Sequence, residues 1–183
     1  MTGNLDQTEA RLPDTVEQLL SLVEIDVALD KLAAELNQRY AHKSLTVVSI
    51  MTGGLVTTGH LLPKLSMKVT LDYLHVSRYR QQTSGTDLQW HRYPHTEFRE
   101  QAVLLVDDIF DEGITLAAVK DYYHQQGASE VITAVLLTKN HHRQQTQYVP
   151  DYSALTVRDA YVFGFGLDYE GHWRNLPGIY CFK

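Results

Sequence analysis

Residues 103–116 read VLLVDDIFDEGITL: an apolar run enters four carboxylates, Asp107, Asp108, Asp111 and Glu112, and Gly113 then opens a helical pattern. A loop between strand end and helix start commonly holds an anion, because the first N–H groups of a helix are unpaired. Acids are also favoured at helix N-termini as solvated caps, and an arbitrary acidic loop is most simply that. Here Asp107 and Asp108 follow directly on VLLV, at the mouth of a buried strand, where desolvation demands a partner. Gly113, Ile114 and Thr115 supply a small residue, N–H groups and a hydroxyl suited to a phosphate. One ligand reconciles the two chemistries if it carries both hydroxyls and a phosphate. Carboxylates accept from vicinal sugar hydroxyls or ligate a hard divalent cation, while the helix start takes the phosphate. The loop's length suits a ribose 5-phosphate.

The elements that must hold this loop follow from hydropathy patterning. Asp14 or Thr15 is placed to cap a short helix to about residue 22, and residues 25–40 carry apolar side chains at helical spacing. Residues 45–51, LTVVSIM, form a continuous β-branched apolar run, as expected of a strand buried on both faces. A helix interrupted near Pro63, a strand over 68–79, a strand over 102–108, a helix ending at Gly127 and a strand over 130–139 follow. This alternation predicts an α/β fold, a mainly parallel twisted sheet with helices on both faces. Ligands bind such sheets at strand C-termini. The loops at 51–54, 107–115 and from 139 onward all fall there. Residues 1–24 read as an N-terminal segment, 25–147 as the α/β core with a polar flap at about 78–101, and 148–183 as an aromatic-rich hood over the loops.

The chain has 183 residues, 44% of them hydrophobic, enough for one domain with a core. Its charge of −6 argues against nucleic-acid or anionic-membrane partners. A single cysteine, Cys181, excludes an internal disulfide and is assigned to packing. No apolar run approaches the roughly 20 residues of a membrane span, and the first residues lack signal-peptide character. A cytoplasmic location is expected.

VLLVDDIFDEGITL resembles the 5-phosphoribosyl-1-pyrophosphate (PRPP) signature of type I phosphoribosyltransferases: four apolar residues, two acids, two apolar residues, then D-[ST]-G-x-T. The segment YVFGFGLDYEGHWRNLPGIY at 161–180 is similar to the end of the hypoxanthine-guanine members, with G-[YF]-x-L-D-Y followed by Arg and L-P. MTGG at 51–54 stands where these enzymes have a pyrophosphate loop, and LDYLHVSRY at 71–79 resembles the strand entering their catalytic flap. The motifs run in family order over roughly residues 25–183.

The resemblance implies a purine base displacing pyrophosphate from C1 of PRPP, with Mg²⁺ as cofactor, in a homodimer or homotetramer. It places Asp107 and Asp108 on the ribose hydroxyls or Mg²⁺, and Asp111 at N7 of the purine as catalytic proton acceptor. The 5-phosphate falls to the backbone of Asp111, Glu112, Gly113, Ile114 and Thr115. Lys139 would donate to a 6-oxo group, which selects hypoxanthine or guanine over adenine. Tyr161 would stack on the base, worth about 1–3 kcal/mol, and Val162 would offer its backbone. Asp168 would be a second Mg²⁺ ligand at the purine side. Arg174 would contact pyrophosphate with Thr52 and Gly53, beneath Arg78 and Tyr79 of the flap.

Taken alone, Lys139 reads as a surface lysine, Tyr161 as core, and Asp168 with Arg174 as a surface ion pair. His141 and His142 read as loop residues, since adjacent side chains diverge. Three positions depart from the family pattern. Glu112 replaces a hydroxyl residue and is expected to turn outward. Thr52 stands where many relatives have Lys, its charge supplied instead by Arg78 or Arg80. Ser77 is separated from Tyr79 by Arg78. Thr52 and Glu112 leave a second reading, a weak or inactive PRPP or nucleotide sensor with the same fold, and the chain length and V-D-D loop leave a third, an RNA-binding attenuation regulator.

Overall fold

The computed structural model describes residues 12–78, 88–141 and 147–183. Six strands form the main sheet in the order β4-β3-β2-β5-β6-β7: β2 (Leu45–Met51), β3 (Val69–Arg78), β4 (Leu88–Arg92), β5 (Ala102–Phe110), β6 (Glu130–Asn140) and β7 (Tyr152–Arg158). All neighbours pair parallel except β3 with β4, whose hairpin returns antiparallel at the edge. Helices α1 (Leu22–Tyr40) and α2 (Gly54–Leu61) pack on one face and α3 (Ile114–Gln125) on the other.

Period-two alternation explains the two-sided burial. Along β5, Leu104 and Val106 join the core with Ile25, Leu29 and Leu36 of α1, while Val103 and Leu105 join Leu116, Val119 and Tyr123 of α3. An apolar run with no polar interruption is what two covered faces require.

A second sheet of three strands, β1 (Val16–Leu20), β9 (Ile179–Phe182) and β8 (Val162–Phe163), forms the hood. The helix expected from Asp14 or Thr15 is therefore strand β1. It pairs antiparallel with β9, Val16 opposite Phe182 and Glu17 opposite Cys181. The helix signal belongs a few residues later. Ser21 caps α1 in a reciprocal box, Ser21 Oγ accepting from the Glu24 N–H at 3.3 Å and Glu24 Oε2 accepting from the Ser21 N–H at 2.8 Å. The hood also begins later than residue 148, because β7 extends the main sheet beside β6. Among the described residues no helix is long and apolar enough to cross a membrane.

β3 and β5 flank β2 on opposite sides, so the strand order reverses at β2. The loops after β2 and β5 meet there, at the C-terminal edge where such sheets bind ligands.

Candidate active site

A cavity of about 980 Å³ opens at that edge. β5 supplies Asp107 and Asp108, the turn into α3 supplies 111–115, β6 supplies Lys139, and the hood supplies Tyr161, Val162, Asp168 and Arg174. Gly53 contributes from the loop after β2, and Ser77 and Leu88 come from the last rungs of the β3–β4 pairing. Thr52 is exposed and is not a lining residue; the Met51–Thr52 peptide is cis. Tyr79, Arg80 and the Arg78 side chain lie outside the described residues.

Asp107 is buried and Asp108 half-buried beside it. Asp107 Oδ1 accepts from the Asp108 N–H at 2.9 Å, and Asp108 Oδ1 from the Ile109 N–H at 2.7 Å. Burial, then the neighbouring Asp108 charge, pushes the Asp107 carboxyl well above its ordinary value. Burial also raises Asp108, against the lowering pull of its hydrogen bonds and of the Arg174 charge. The loop after β2 closes over this pair. A side chain at Gly53 would collide with the Asp108 carboxylate, and one at Gly54 would sit 2.6 Å from the Val106 carbonyl oxygen.

Asp111 is organised differently. Lys139 Nζ donates to its Oδ2 at 2.8 Å, and His141 Nε2 lies 2.6 Å from its Oδ1. Burial pushes this carboxyl up, but the hydrogen bonds and charges of Lys139 and His141 outweigh burial and hold it below its ordinary value. Asp107 and Asp108 thus form a pair that resists ionisation, whereas Asp111 is a carboxylate held ionised.

Gly113 begins α3 with φ 83° and no side-chain cap, a left-handed conformation suited to Gly. The first N–H groups of the helix face the cavity without a capping side chain. Glu112 is half-buried and belongs to the cavity lining, so it does not turn out into solvent as the sequence suggested.

In the hood, Arg174 reaches the Gly166 carbonyl with Nη1 and Asp168 Oδ1 with Nη2, both at 2.6 Å. Asp168 Oδ2 accepts from the Gly171 N–H at 2.8 Å, so both its oxygens are engaged within the hood. The Tyr161 hydroxyl donates to the Asp168 carbonyl at 3.1 Å, holding a ring that is 56% exposed at the mouth. An exposed aromatic fixed at a cavity mouth suits stacking on a planar ligand.

His141 is the residue that sequence reasoning missed. Its signal was the spacing to Lys139, since residues two apart along an extended chain share a side; attention to the adjacent pair with His142 obscured it.

Five acids and two fixed cations line the cavity among the described residues: Asp107, Asp108, Asp111, Glu112 and Asp168 against Lys139 and Arg174. The residues fit a hard divalent ion, because Mg²⁺ is commonly held by one or two carboxylates with substrate oxygens and water completing its shell. Among the described residues no three His, Cys, Asp or Glu side chains cluster to hold a metal by themselves. Asp107, Asp108 and Asp168, the carboxylates that the resemblance assigns to the ion, all line the cavity.

The raised Asp107 carboxyl has a measurable consequence. A carboxyl whose pKa is raised on folding makes the folded state bind protons more tightly, so stability rises as pH falls through the raised value and is diminished above it. Asp107→Asn removes one charge and is expected to stabilise the ligand-free protein at about pH 7.5 by about 1 kcal/mol, or about 2–4 °C in melting temperature. The gain should shrink as pH falls and the native carboxyl takes up its proton. The same variant should lose thermal stabilisation by Mg²⁺ with PRPP, so thermal unfolding with and without ligand checks both halves.

The sequence matches the phosphoribosyl transferase domain over residues 15–170. It is 32% identical over 171 residues to a hypoxanthine-guanine phosphoribosyltransferase of Streptococcus pneumoniae, covering 93% of this chain and 94% of that one. It is 27% identical to a hypoxanthine-guanine-xanthine phosphoribosyltransferase of Tritrichomonas foetus, over 96% and 97%. The fold superposes on a hypoxanthine phosphoribosyltransferase of Staphylococcus aureus with TM-score 0.86 at 27% identity, over 91% of each chain. With the reversal of strand order, the paired acids and the uncapped helix start already in place, these likenesses are decisive: the chain belongs to the type I phosphoribosyltransferases, among relatives of the hypoxanthine-guanine enzymes.

Proposed function

We propose that the chain transfers the 5-phosphoribosyl group of PRPP to a 6-oxopurine, hypoxanthine and/or guanine, in purine salvage. The bond from C1 to the pyrophosphate oxygen breaks, the bond from C1 to N9 of the base forms, and the base loses one proton. The observation that carries this reading is the gathering of three parts in one cavity: a buried acid pair, an uncapped helix start, and an acid held against a lysine.

Each part has a role. The N–H groups after Gly113 and the Thr115 hydroxyl receive the 5-phosphate. Asp107 and Asp108 hold the ribose hydroxyls and a divalent cation. Magnesium, when bound, supplies counter-charge to the departing pyrophosphate. Arg174 faces the same departing charge, with Asp168 orienting it. The loop at Thr52 and Gly53 and the flap at Arg78 and Tyr79 cover the pyrophosphate and exclude water, which protects the cation-like sugar from hydrolysis. Tyr161 stacks on the base and the Val162 backbone meets its edge.

Asp111 and Lys139 present an acceptor beside a donor. A 6-oxopurine carrying a proton on N7 presents the complement on one edge, N7–H next to O6. When Lys139 turns to O6, Asp111 loses the partner that most lowers its pKa and becomes a better proton acceptor as the base arrives. Binding the correct base thereby activates the group that deprotonates it. The assembly is proposed as a homodimer or homotetramer, which the exposed Leu22, Val23, Val27 and Leu55 on α1 and α2 support. A cytoplasmic setting and the absence of nucleic-acid and membrane partners complete the reading.

The test is turnover with PRPP, Mg²⁺ and each of adenine, hypoxanthine, guanine and xanthine. Nucleotide and pyrophosphate are expected from hypoxanthine and/or guanine, and their absence with every base overturns the proposal. Lys139→Gln should lower kcat/KM for the preferred 6-oxopurine by about 10–100-fold, the cost of losing a charged hydrogen bond. Activity on adenine should not fall in parallel, because an amide can also accept from a 6-amino group.

A further inference from the structure

We propose that His141 is a positioning residue for the transfer reaction: it keeps the Asp111 carboxylate aimed at the base when Lys139 leaves that carboxylate for the purine's 6-oxo group. The proposal rests on the function proposed above.

Among the described residues, Lys139 and His141 take different oxygens of Asp111. Lys139 occupies Oδ2 and His141 occupies Oδ1, at 2.8 and 2.6 Å. An ionised carboxylate can only accept, so the His141 Nε2 carries the hydrogen of that bond. Lys139 lies near the end of β6 and His141 is the first residue after it, two positions on, so extended backbone sends both to one side. Burial grades the three side chains: His141 is 4% exposed, Lys139 12% and Asp111 31%. The imidazole sits behind the carboxylate, and the carboxylate is the group most open to an incoming ligand.

A purine cannot bind to this arrangement unchanged. Its O6 takes the Lys139 ammonium, and its N7–H takes the Oδ2 that the lysine releases. During that exchange the carboxylate keeps His141 as a buried anchor. Rotation of an aspartate about its terminal bond is soft, and removing the imidazole loosens the hold that keeps Oδ2 aimed at N7. Lys139 and His141 thus differ in kind. The lysine trades its partner for substrate, whereas the histidine keeps its partner throughout.

Steady-state kinetics of the full chain with hypoxanthine, PRPP and Mg²⁺ test this. His141→Phe fills a similar volume and lacks the ring N–H. It should lower kcat about tenfold, as expected for one hydrogen bond to a charged group, and leave the KM for PRPP within about twofold. His141→Gln keeps a donor at similar reach and should recover most of kcat, while His141→Asn, equally polar but shorter, should not. This Gln and Asn pair carries the comparison if the Phe variant fails to fold.

A double-mutant cycle separates positioning from general support. In an Asp111→Asn background, His141→Phe should change kcat by less than about twofold, since the group it positions is already gone. A folded His141→Phe variant with kcat within about twofold of the unmodified chain overturns the inference. So does an undiminished effect in the Asp111→Asn background. Lack of turnover in the unmodified chain overturns the functional reading and the inference together, whereas an active chain insensitive to His141 overturns the inference alone.

Discussion

Asp111→Asn should lower kcat by about two to four orders of magnitude, the usual range for losing a positioned proton acceptor. The KM for PRPP should stay within about threefold, because the 5-phosphate and ribose are assigned to Asp107, Asp108 and the start of α3. The isosteric amide preserves the volume of the side chain and one oxygen, so the variant removes charge and basicity with little change of shape. An unchanged kcat removes Asp111 from the chemistry. The pH dependence supplies a second reading of the same group. With its pKa depressed by Lys139 and His141, Asp111 stays ionised below the ordinary carboxylate range. Activity that needs the carboxylate is present above the depressed value and is lost as pH falls through it, so the acidic limb of a kcat/KM profile should lie at low pH in the unmodified chain. In Asp111→Asn that limb should disappear. The same depression stabilises the folded state above the unfolded pKa, and the benefit is lost on acidification.

The second large effect is expected at Gly53. Any side chain there collides with the Asp108 carboxylate. Asp108 is a short side chain seated between the Ile109 N–H and its neighbour Asp107, and it has no long flexible end to move. Relief requires either turning the carboxylate out of the cavity or lifting the loop after β2, and both dismantle the cradle assigned to ribose, metal and pyrophosphate. Gly53→Ala should therefore reduce kcat/KM for PRPP by about a hundredfold or more, the scale reached by misplacing reacting groups by about 1 Å. Gly59→Ala in α2 provides the contrast, since nothing lies within 4 Å of an added methyl group. There the substitution should leave kinetics unchanged and stabilise the chain by about 0.4–1 kcal/mol. Kinetics and thermal unfolding on the two variants together test whether close approach, rather than helix flexibility, is what Gly53 supplies. If Gly53→Ala retains kcat/KM for PRPP within about threefold, the assigned cradle is wrong.

Local patterns carried far because much of this fold is written in short range. LTVVSIM and VLLV announce strands covered on both faces, and the two cores divide their residues by alternation. The turn from Phe110 into α3 was legible for the same reason, since strand, acids, Gly and hydroxyl follow in one stretch of chain. β1 was not legible. Its partner β9 lies at the opposite terminus, and a five-residue segment behind Asp14 and Thr15 offers a helix signal that only the pairing overrides. β7 was misplaced in the hood because its half-buried pattern does not say which sheet it joins.

What the sequence determined by itself was the chemistry available at the end of β5: paired acids, a single acid, an uncapped helix start, and the family these imply. The tertiary structure decided how those acids differ. Burial drives Asp107 and Asp108 up, with the Asp108 charge adding to the rise at Asp107, while Lys139 and His141, contributed by another strand end, drive Asp111 down. The parallel pairing of β2 with β5 also set Gly53 against Asp108. The physical reason is that residue type fixes what a side chain can exchange, whereas charge state and aim depend on solvent exclusion and on neighbours distant in the chain. Identical carboxylates in one loop acquire opposite behaviour from partners that the loop does not contain.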